Sequence, residues 1–529
     1  MISVCGSLSS GRTGAPVDAL SDGRAAPRAK EAGGRRAAAT GGLTPDGRFK
    51  AGKLAGLGMG AAIWVLSWPI LVQSFLNSLV GLTDTVLAAG VSEAATDAIG
   101  GAAYIIWFVG LVITAIGVGA TAVISRSIGG GRQAVANAAL GQAVLLAVVS
   151  GLAVAALIVV GAAPAARAMS MGPEAAEAFR RYMLVNAAGV PLTAVLFLGI
   201  ECLRAAGDSL RPLLSMVVVN LVNIAVSWAL AGVDLTSTRL ENGVPVTRVV
   251  LVNPFPFDLG VVGIALGTVT SSAVGAGIIL RMLLRGRSGI VLRRRRLRPH
   301  WHTMRRLVRV GLPNFFEMLG MWVGNFAIVL MVGWLTLREG SGGLLGAHIV
   351  AIRIEAFSFL AGFAMGAAAA TLAGQYLGAG SPAMARRATF LCTAIAAAVM
   401  MTIGLGYLLI PRQIVGVLSS QATHLEVVPK VLRVAGFVQI PFAMSIVLRS
   451  AMRGAGDVKV VMYLTWISTW GIRLPLAYAL SGVDIPVPAW LWWGEGAGGV
   501  IENPFWSEGG LVGLWIGLCL ELVIRAALF

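Results

Sequence analysis

Apolar stretches of about 20 residues, separated by short polar connections, run along the chain from residue 57 almost to its end. A stretch of that length crosses a bilayer as a helix, whereas a membrane β-barrel shows segments of about 10 residues with alternating polarity. Twelve spans can be drawn, at 57–83, 98–127, 134–161, 181–205, 210–232, 260–284, 307–335, 345–377, 385–410, 431–452, 458–481 and 510–528. The pattern therefore predicts an all-α membrane protein with twelve transmembrane helices.

The connections can be tested for charge. With the N-terminus inside, one side collects Arg126 and Arg132, Arg204 and Arg211, an Arg-rich connection, Arg386 and Arg387, then Arg449, Arg453 and Lys459. The other side collects GVSEAATDA at 90–98, with no Lys or Arg, and the stretch 482–509, with four acids and no base. Basic residues concentrate on the cytoplasmic side of membrane proteins. The expectation is a multi-pass protein of the cell (inner) membrane with both termini cytoplasmic.

Composition agrees, with 57% hydrophobic and 12% charged residues against a usual charged share near 25% in soluble domains. The net charge of +17 raises the question of nucleic acid, but its placement argues against that partner. Nine Lys or Arg lie in residues 1–53, and eleven Arg with no acid lie from Arg281 to Arg309, including RRRR at 293–296. Clusters beside spans read as cytoplasmic anchors that meet anionic lipid. Residues 1–53 lack the apolar run of a cleaved signal peptide and read as a disordered basic tail. The four cysteines, Cys5, Cys202, Cys392 and Cys519, show neither a disulfide framework nor a metal-ligand spacing.

The chain repeats itself. RAAGD at 204–208 returns as RGAGD at 453–457, IGGG at 128–131 as LGAG at 377–380, ALAGVD at 229–234 as ALSGVD at 479–484, and GVVGIALG at 260–267 as GLVGLWIG at 510–517. The order is conserved and the offset is 249 or 250 throughout. Two six-helix lobes in parallel orientation follow, an N-lobe at 54–290 and a C-lobe at 305–529, joined by an Arg-rich cytoplasmic linker at 291–304 and related by a pseudo-two-fold axis.

This repeat, with GLTDTVLAAG closing the first span and the LGAG and RxAGD motifs in their order, resembles the multidrug and toxic compound extrusion (MATE) family of antiporters. RIEAFSFLAGFAMGAAAATLAGQYLGAG at 353–380 is the longest close match, and the similarity covers roughly residues 57–528. The resemblance implies a secondary active antiporter that exports amphipathic or cationic drugs and toxic compounds in exchange for protons or sodium ions. It implies no cofactor beyond the coupling ion, H+ or Na+. Expected partners are small amphipathic molecules and membrane lipids, without nucleic acid, and the expected state is a monomer.

Within this frame the intramembrane polar residues become candidates, since an ionised group near the middle of a membrane helix costs roughly 2.5–3.5 kcal/mol. Gln73, Asn77 and Asp84 fall on one side of the first helix, above Pro69. MATE proteins carry a carboxylate at the position of Asp84, and the resemblance ties its protonation or cation binding to transport; the plainer alternative is an end-of-helix acid that reaches water. Asn220, Asn223 and Ser227 line one face of the fifth helix, able to hydrogen-bond a protonated acid, coordinate a cation, or merely hold helices together. Many family members place an Asp where Ser227 stands, so a single acid suits a proton somewhat better than sodium. Asp84, Asn220 and Asn223 are the ion-coupling candidates, and Gln73, Asn77 and Glu317 the substrate-binding ones.

Glu317 has no basic neighbour in sequence, whereas Arg353 and Glu355 read as a structural or coupling charge set in which Glu355 reaches Arg473. Span ten, FVQIPFAMSIVLRSAM, lacks the acid found there in some family members, so no second cation site is expected. Glu201 and Arg204, three apart, read as a local bridge. Trp64, Phe75, Phe316 and Trp322 are apolar contacts for flat cations or simple packing, and PAWLWW at 488–493 reads as an interfacial cluster. No GxxxxGK[ST] loop and no metalloprotease histidine spacing is present, so neither catalysis nor a metal centre is expected. The competing reading is a lipid-linked precursor flippase of related two-lobe fold, which would need a more cationic central cavity than Arg353 and Arg473 supply.

Overall fold

The computed structural model describes residues 42–169, 171–241, 244–339, 343–419, 421–488, 498–505 and 508–529. The first lobe consists of α1 (Met59–Val91), α2 (Glu93–Gly129), α3 (Gln133–Ala168), α4 (Pro173–Ala205), α5 (Leu210–Ala231) and α6 (Gly260–Arg285), with a hairpin of β1 (Leu235–Glu241) and β2 (Val244–Leu251) between the last two. The second lobe begins with α7 (Trp301–Glu339), α8 (Leu344–Gly378) and α9 (Pro382–Leu409), followed by the short α10 (Pro411–Leu418).

Its next span is broken. α11 (Ala422–Phe437) and α12 (Gln439–Ala455) meet at a 60° bend. Pro441 has no N–H for the carbonyl of Phe437, which removes a helical bond at the bend. The following span is continuous but uneven, with α13 (Val458–Trp466), a π-helical turn at Ile467–Arg473 and α14 (Leu474–Ser481). A second hairpin, β3 (Ile485–Pro488) with β4 (Gly498–Ile501), leads to α15 (Gly510–Leu528). Among the described residues, ten helices are long and apolar enough to cross a membrane singly. The bent pair and the π-interrupted helix complete the twelve spans that the sequence predicts.

The two halves repeat in atomic detail. Asn253 donates its side-chain amide to the carbonyl of Trp228 at 2.8 Å, and its backbone N–H to Asp234 Oδ1 at 2.7 Å. Asn503 does the same with Tyr478 and Asp484, at 2.7 and 2.9 Å. Each asparagine pins a hairpin to the helix before it. The GVVGIALG and GLVGLWIG motifs repeat as well: Gly267 lies against the backbone of Ser227, and Gly517 against that of Ala477. Small residues spaced by four let two membrane helices touch backbone to backbone.

The lobes interlock. Ala62, Ile63 and Leu66 at the start of α1 pack with Tyr376, Cys392 and Ile446 of the second lobe, whereas Leu87 and Ala88 near its end pack with Phe179 and Tyr182 of the first. α7 crosses in the opposite sense, with Leu307 in the first lobe's core and Ile328, Val332 and Leu335 in the second's. Both helices carry an internal proline, Pro69 or Pro313, between these footings.

At the end bearing the Gly-rich motifs the lobes are sealed. Gln375 donates to the carbonyl of Ala205 at 3.0 Å and Thr371 to that of Arg204 at 3.3 Å, and Gly129 and Gly378 bring the backbones of α2 and α8 together. Among the described residues no hydrogen bond joins the lobes elsewhere; α2 and α7 meet through Phe108 on Phe315 and Trp107 on Trp322, with ring centroids 6.1 and 6.3 Å apart.

Two boundaries differ from those expected. Residues 42–53, assigned to a disordered tail, are ordered, because Phe49 is buried and stacks on Tyr376 at 4.4 Å, with Leu54 buried just beyond. Residues 1–41 lie outside the described ones. α7 begins at Trp301, so the connection to it ends before residue 304. PAWLWW, apart from Pro488, also lies outside the described residues.

Candidate functional site

α1 packs on α5, and these two helices carry the buried polar candidates Asp84, Asn220 and Asn223. Asp84 is 9% exposed, Asn220 4% and Asn223 1%. The amide nitrogens are occupied: Asn220 Nδ2 donates to the carbonyl of Met216 at 2.8 Å, and Asn223 Nδ2 to Thr268 Oγ1 at 3.3 Å. The oxygens are not. Asp84 Oδ1, Asn220 Oδ1 and Asn223 Oδ1 are all buried without a hydrogen-bond partner. Neither amide donates to Asp84 in this conformation.

A buried acceptor without a donor is rare in folded proteins and calls for a missing partner. The three acceptors differ in kind. A carboxylate can take a proton, and all three oxygens can coordinate a cation. Tyr182 of α4 lies within electrostatic reach of Asp84, and Ser227, one turn beyond Asn223, donates to the carbonyl of Ile264 at 3.3 Å. No cluster of three His, Cys, Asp or Glu side chains forms among the described residues.

The other members of the expected stripe separate. Gln73 is buried, and its Oε1 accepts from Arg204 Nη2 at 2.7 Å; Asn77 is exposed. Arg204 also bridges Glu201 at 2.7 Å, the local pair expected from their spacing. In the second lobe Arg453 Nη2 donates to Glu317 Oε1 at 2.6 Å. These are one interaction in two copies. Gln73 stands four residues after Pro69 and Glu317 four after Pro313, an offset of 244, while Arg204 and Arg453 are the arginines of the RxAGD motifs.

Glu317 therefore has the basic partner that its sequence neighbours lack. Arg449 adds a second, 3.8 Å away, and Thr465 Oγ1 donates to the same carboxylate at 3.1 Å. Between the two copies, where the lobes face each other, lies a cavity of about 220 Å³ whose polar walls include Ser74, Thr121, Glu201, Arg204, Ser450 and Arg453. Thr121 Oγ1 and Arg204 Nε are buried there without partners.

The expected pairing of Glu355 with Arg473 is replaced. Arg473 Nη2 donates to Glu521 Oε2 at 3.0 Å and Nη1 to Asn325 Oδ1 at 2.8 Å. Glu521 also pairs with Arg525 at 2.6 Å and accepts from Ser468. The π-helical turn brings Ser468, Thr469 and Arg473 to this cluster from one helix, and Arg525 donates to both hydroxyls, at 2.9 and 3.1 Å. Glu355 feels the charge of Arg473 without an ion pair, and Arg353 is exposed. Sequence reasoning passed over Glu521 and Arg525, although their spacing of four was a visible signal. Trp64, Phe75 and Phe316 are exposed.

The MatE family model matches residues 69–229 and again 313–479, one match for each repeat. A probable multidrug resistance protein NorM of Thermotoga maritima is 25% identical over 464 residues, covering 88% of this chain and 89% of its own. The multidrug resistance protein PmpM of Pseudomonas aeruginosa is 26% identical over 482 residues, with 88% and 91% covered. Among solved structures, the outward-facing conformation of a multidrug resistance MATE family transporter superposes with a TM-score of 0.75 at 19% identity, covering 89% of this chain and 94% of that one. With the family pattern filling both halves of a twelve-helix, two-lobe membrane fold, the chain belongs to the MatE family of transporters.

Proposed function

We propose that this protein is a secondary active antiporter that exports amphipathic or cationic compounds in exchange for protons or sodium ions. The names of its NorM and PmpM relatives support the drug-export half of this reading. The coupling half rests on one observation, the three buried oxygens of Asp84, Asn220 and Asn223 that lack donors. A proton on Asp84 supplies a donor, and a sodium ion is a centre that carboxylate and amide oxygens of this kind coordinate. Asp84 is the only carboxylate of the set and Ser227 contributes a hydroxyl, which favours the proton.

In this reading the sealed end is cytoplasmic, because the ordered residues 42–58 and the Arg-rich connection gather there, and transport proceeds by rocking of the lobes. Loading Asp84 changes the relative free energies of the two lobe arrangements and so biases which side is open. Gln73 and Glu317 act as seats for Arg204 and Arg453 beside the inter-lobe cavity, which leaves Asn77 as the polar contact offered to a substrate. The experiment is drug export from vesicles under an imposed proton or sodium gradient. Asp84→Asn is expected to abolish gradient-driven export while the protein inserts normally, and full export by that variant would remove Asp84 from the mechanism.

A further inference from the structure

The connection between the lobes is built as rigidly as a binding loop. Gln142 of α3 donates to the carbonyls of Arg296 and Arg298, both at 2.8 Å, and its Oε1 accepts from the backbone N–H of His300 at 2.9 Å. Asn137, more than a turn earlier, accepts from the N–H of Val291 at 2.8 Å, and the Gln133 side chain donates to the carbonyl of Gly289. Ile290 and Leu292 are buried beneath. Gly141 completes the seat, since a Cβ there would stand 2.4 Å from the carbonyl oxygen of Arg296. One face of α3 thus holds the connection from residue 289 to residue 300 by specific bonds.

What it holds is a row of unneutralised charge. Arg293, Arg294, Arg295 and Arg296 are all exposed, and none forms an ion pair among the described residues. Arg293, Arg295 and Arg296, with Asn137 and Ala134, wall an open cavity of about 490 Å³. The site lies level with the ends of three spans, where α6 stops at Arg285, α3 starts at Gln133 and α7 starts at Trp301, whose indole is 76% exposed. Exposed tryptophan at a helix end is characteristic of the headgroup layer. Guanidinium groups bind phosphate oxygens through paired N–H donors, and a backbone fixed in advance loses less entropy on binding.

We infer that the cavity under Arg293, Arg295 and Arg296 binds the phosphodiester headgroup of an anionic phospholipid. A soluble basic linker would need none of the Asn137 and Gln142 bonds, and a charge patch that serves only for orientation would need no cavity. The bound lipid would tether the junction between the lobes to the bilayer surface, whichever compound the protein transports.

The test is native mass spectrometry of the purified full chain titrated with phosphatidylglycerol, phosphatidylcholine and inorganic phosphate. Each basic residue near an anionic surface strengthens binding about fivefold, so the triple variant Arg293→Gln, Arg295→Gln, Arg296→Gln should lose phosphatidylglycerol affinity by about tenfold or more. The exposed pair Arg386→Gln, Arg387→Gln lies outside the cavity lining and should change it far less than the triple variant does. Gln142→Leu keeps every charge but unfastens the loop, and it should weaken phosphatidylglycerol binding with little effect on phosphatidylcholine. Equal binding of the two lipids by the unmodified chain, equal losses in both arginine variants, unchanged binding by Gln142→Leu, or full displacement of phosphatidylglycerol by inorganic phosphate would each overturn the proposal.

Discussion

The seal between the lobes can be opened by one methyl group. A Cβ on Gly378 would lie 2.1 Å from the carbonyl oxygen of Arg126 and 2.8 Å from its carbon. Gly378 closes α8 and Arg126 belongs to α2, so the obstructed backbones are in opposite lobes. Backbone cannot step aside as a flexible side chain can, and the contact reaches an ordinary distance of 3.4 Å only when the helices part by 1.3 Å or more. Overpacking of this kind costs about 1–3 kcal/mol. Within α8 itself alanine is a better helix former than glycine, by about 0.8–1 kcal/mol.

The penalty of Gly378→Ala therefore falls on the sealed arrangement and leaves each lobe intact. A bias of about 1–3 kcal/mol multiplies the separated population by about 5–150. The assay is an electron spin resonance distance measurement between labels at Arg132→Cys and Ala383→Cys, two exposed positions on opposite lobes, in a background without native cysteines. The longer-distance population is expected to rise for Gly378→Ala, and also for Gly129→Ala, whose Cβ would stand 1.8 Å from the carbonyl oxygen of Gln375. The double variant should add little, since one motion relieves both. Gly277→Ala, with nothing within 4 Å of the new methyl, is the control. An unchanged distribution for Gly378→Ala, or an equal change for Gly277→Ala, would refute the reasoning.

Glu317→Gln should lower thermal stability strongly, because it leaves Arg453 and Arg449 as buried charges without a carboxylate; breaking such a pair costs about 3–5 kcal/mol, read as a fall in melting temperature that Arg453→Gln partly restores in combination. If the proposed coupling site is right, Asn223→Leu should shift the proton or sodium dependence of export more than drug affinity, because it removes a buried acceptor that lacks a donor; equal shifts in both would reassign the residue to packing. Asn253→Ala and Asn503→Ala keep the backbone N–H bond to the aspartate but should loosen equivalent hairpins, each losing three side-chain hydrogen bonds of about 1 kcal/mol, seen as faster amide exchange just before residues 235 and 485.

The repeat was legible because RxAGD, the Gly-rich motifs and GxVGxxxG keep an offset of 249 or 250, and their backbone roles tolerate few residues. The matching first helices were not, because Pro69 and Gln73 return as Pro313 and Glu317 at an offset five shorter, and Gln and Glu share shape but not charge. The pairing of Arg453 with Glu317 was hidden for the same reason. Arg473 reaches Glu521 only because a π-helical turn displaces the side chains after it, and periodicity does not announce such a turn. Phe49 and Leu54 are isolated apolar residues in a basic stretch, and nothing local reveals the groove they fill. The hairpins escaped for a related reason, since two short strands outside the apolar spans leave only a faint alternation.

The ordered segment before α1 turns this geometry into a report on the transport cycle. Phe49 rests on Tyr376 of the second lobe, while Lys53 lies 3.9 Å from Asp208 and Leu54 touches Gly207, both in the first. A strap with a foot on each lobe cannot keep both when they part. Its detachment free energy is consequently part of the switching free energy, and the coupling is reciprocal. A substrate that draws the lobes apart loosens the strap, and a weight or cut placed on the strap alters substrate affinity without touching the substrate's path. Fusions and proteolytic trimming at this terminus thus act as allosteric perturbations of the carrier, and cleavage after Arg48 or Lys53 becomes a readout of which way it faces.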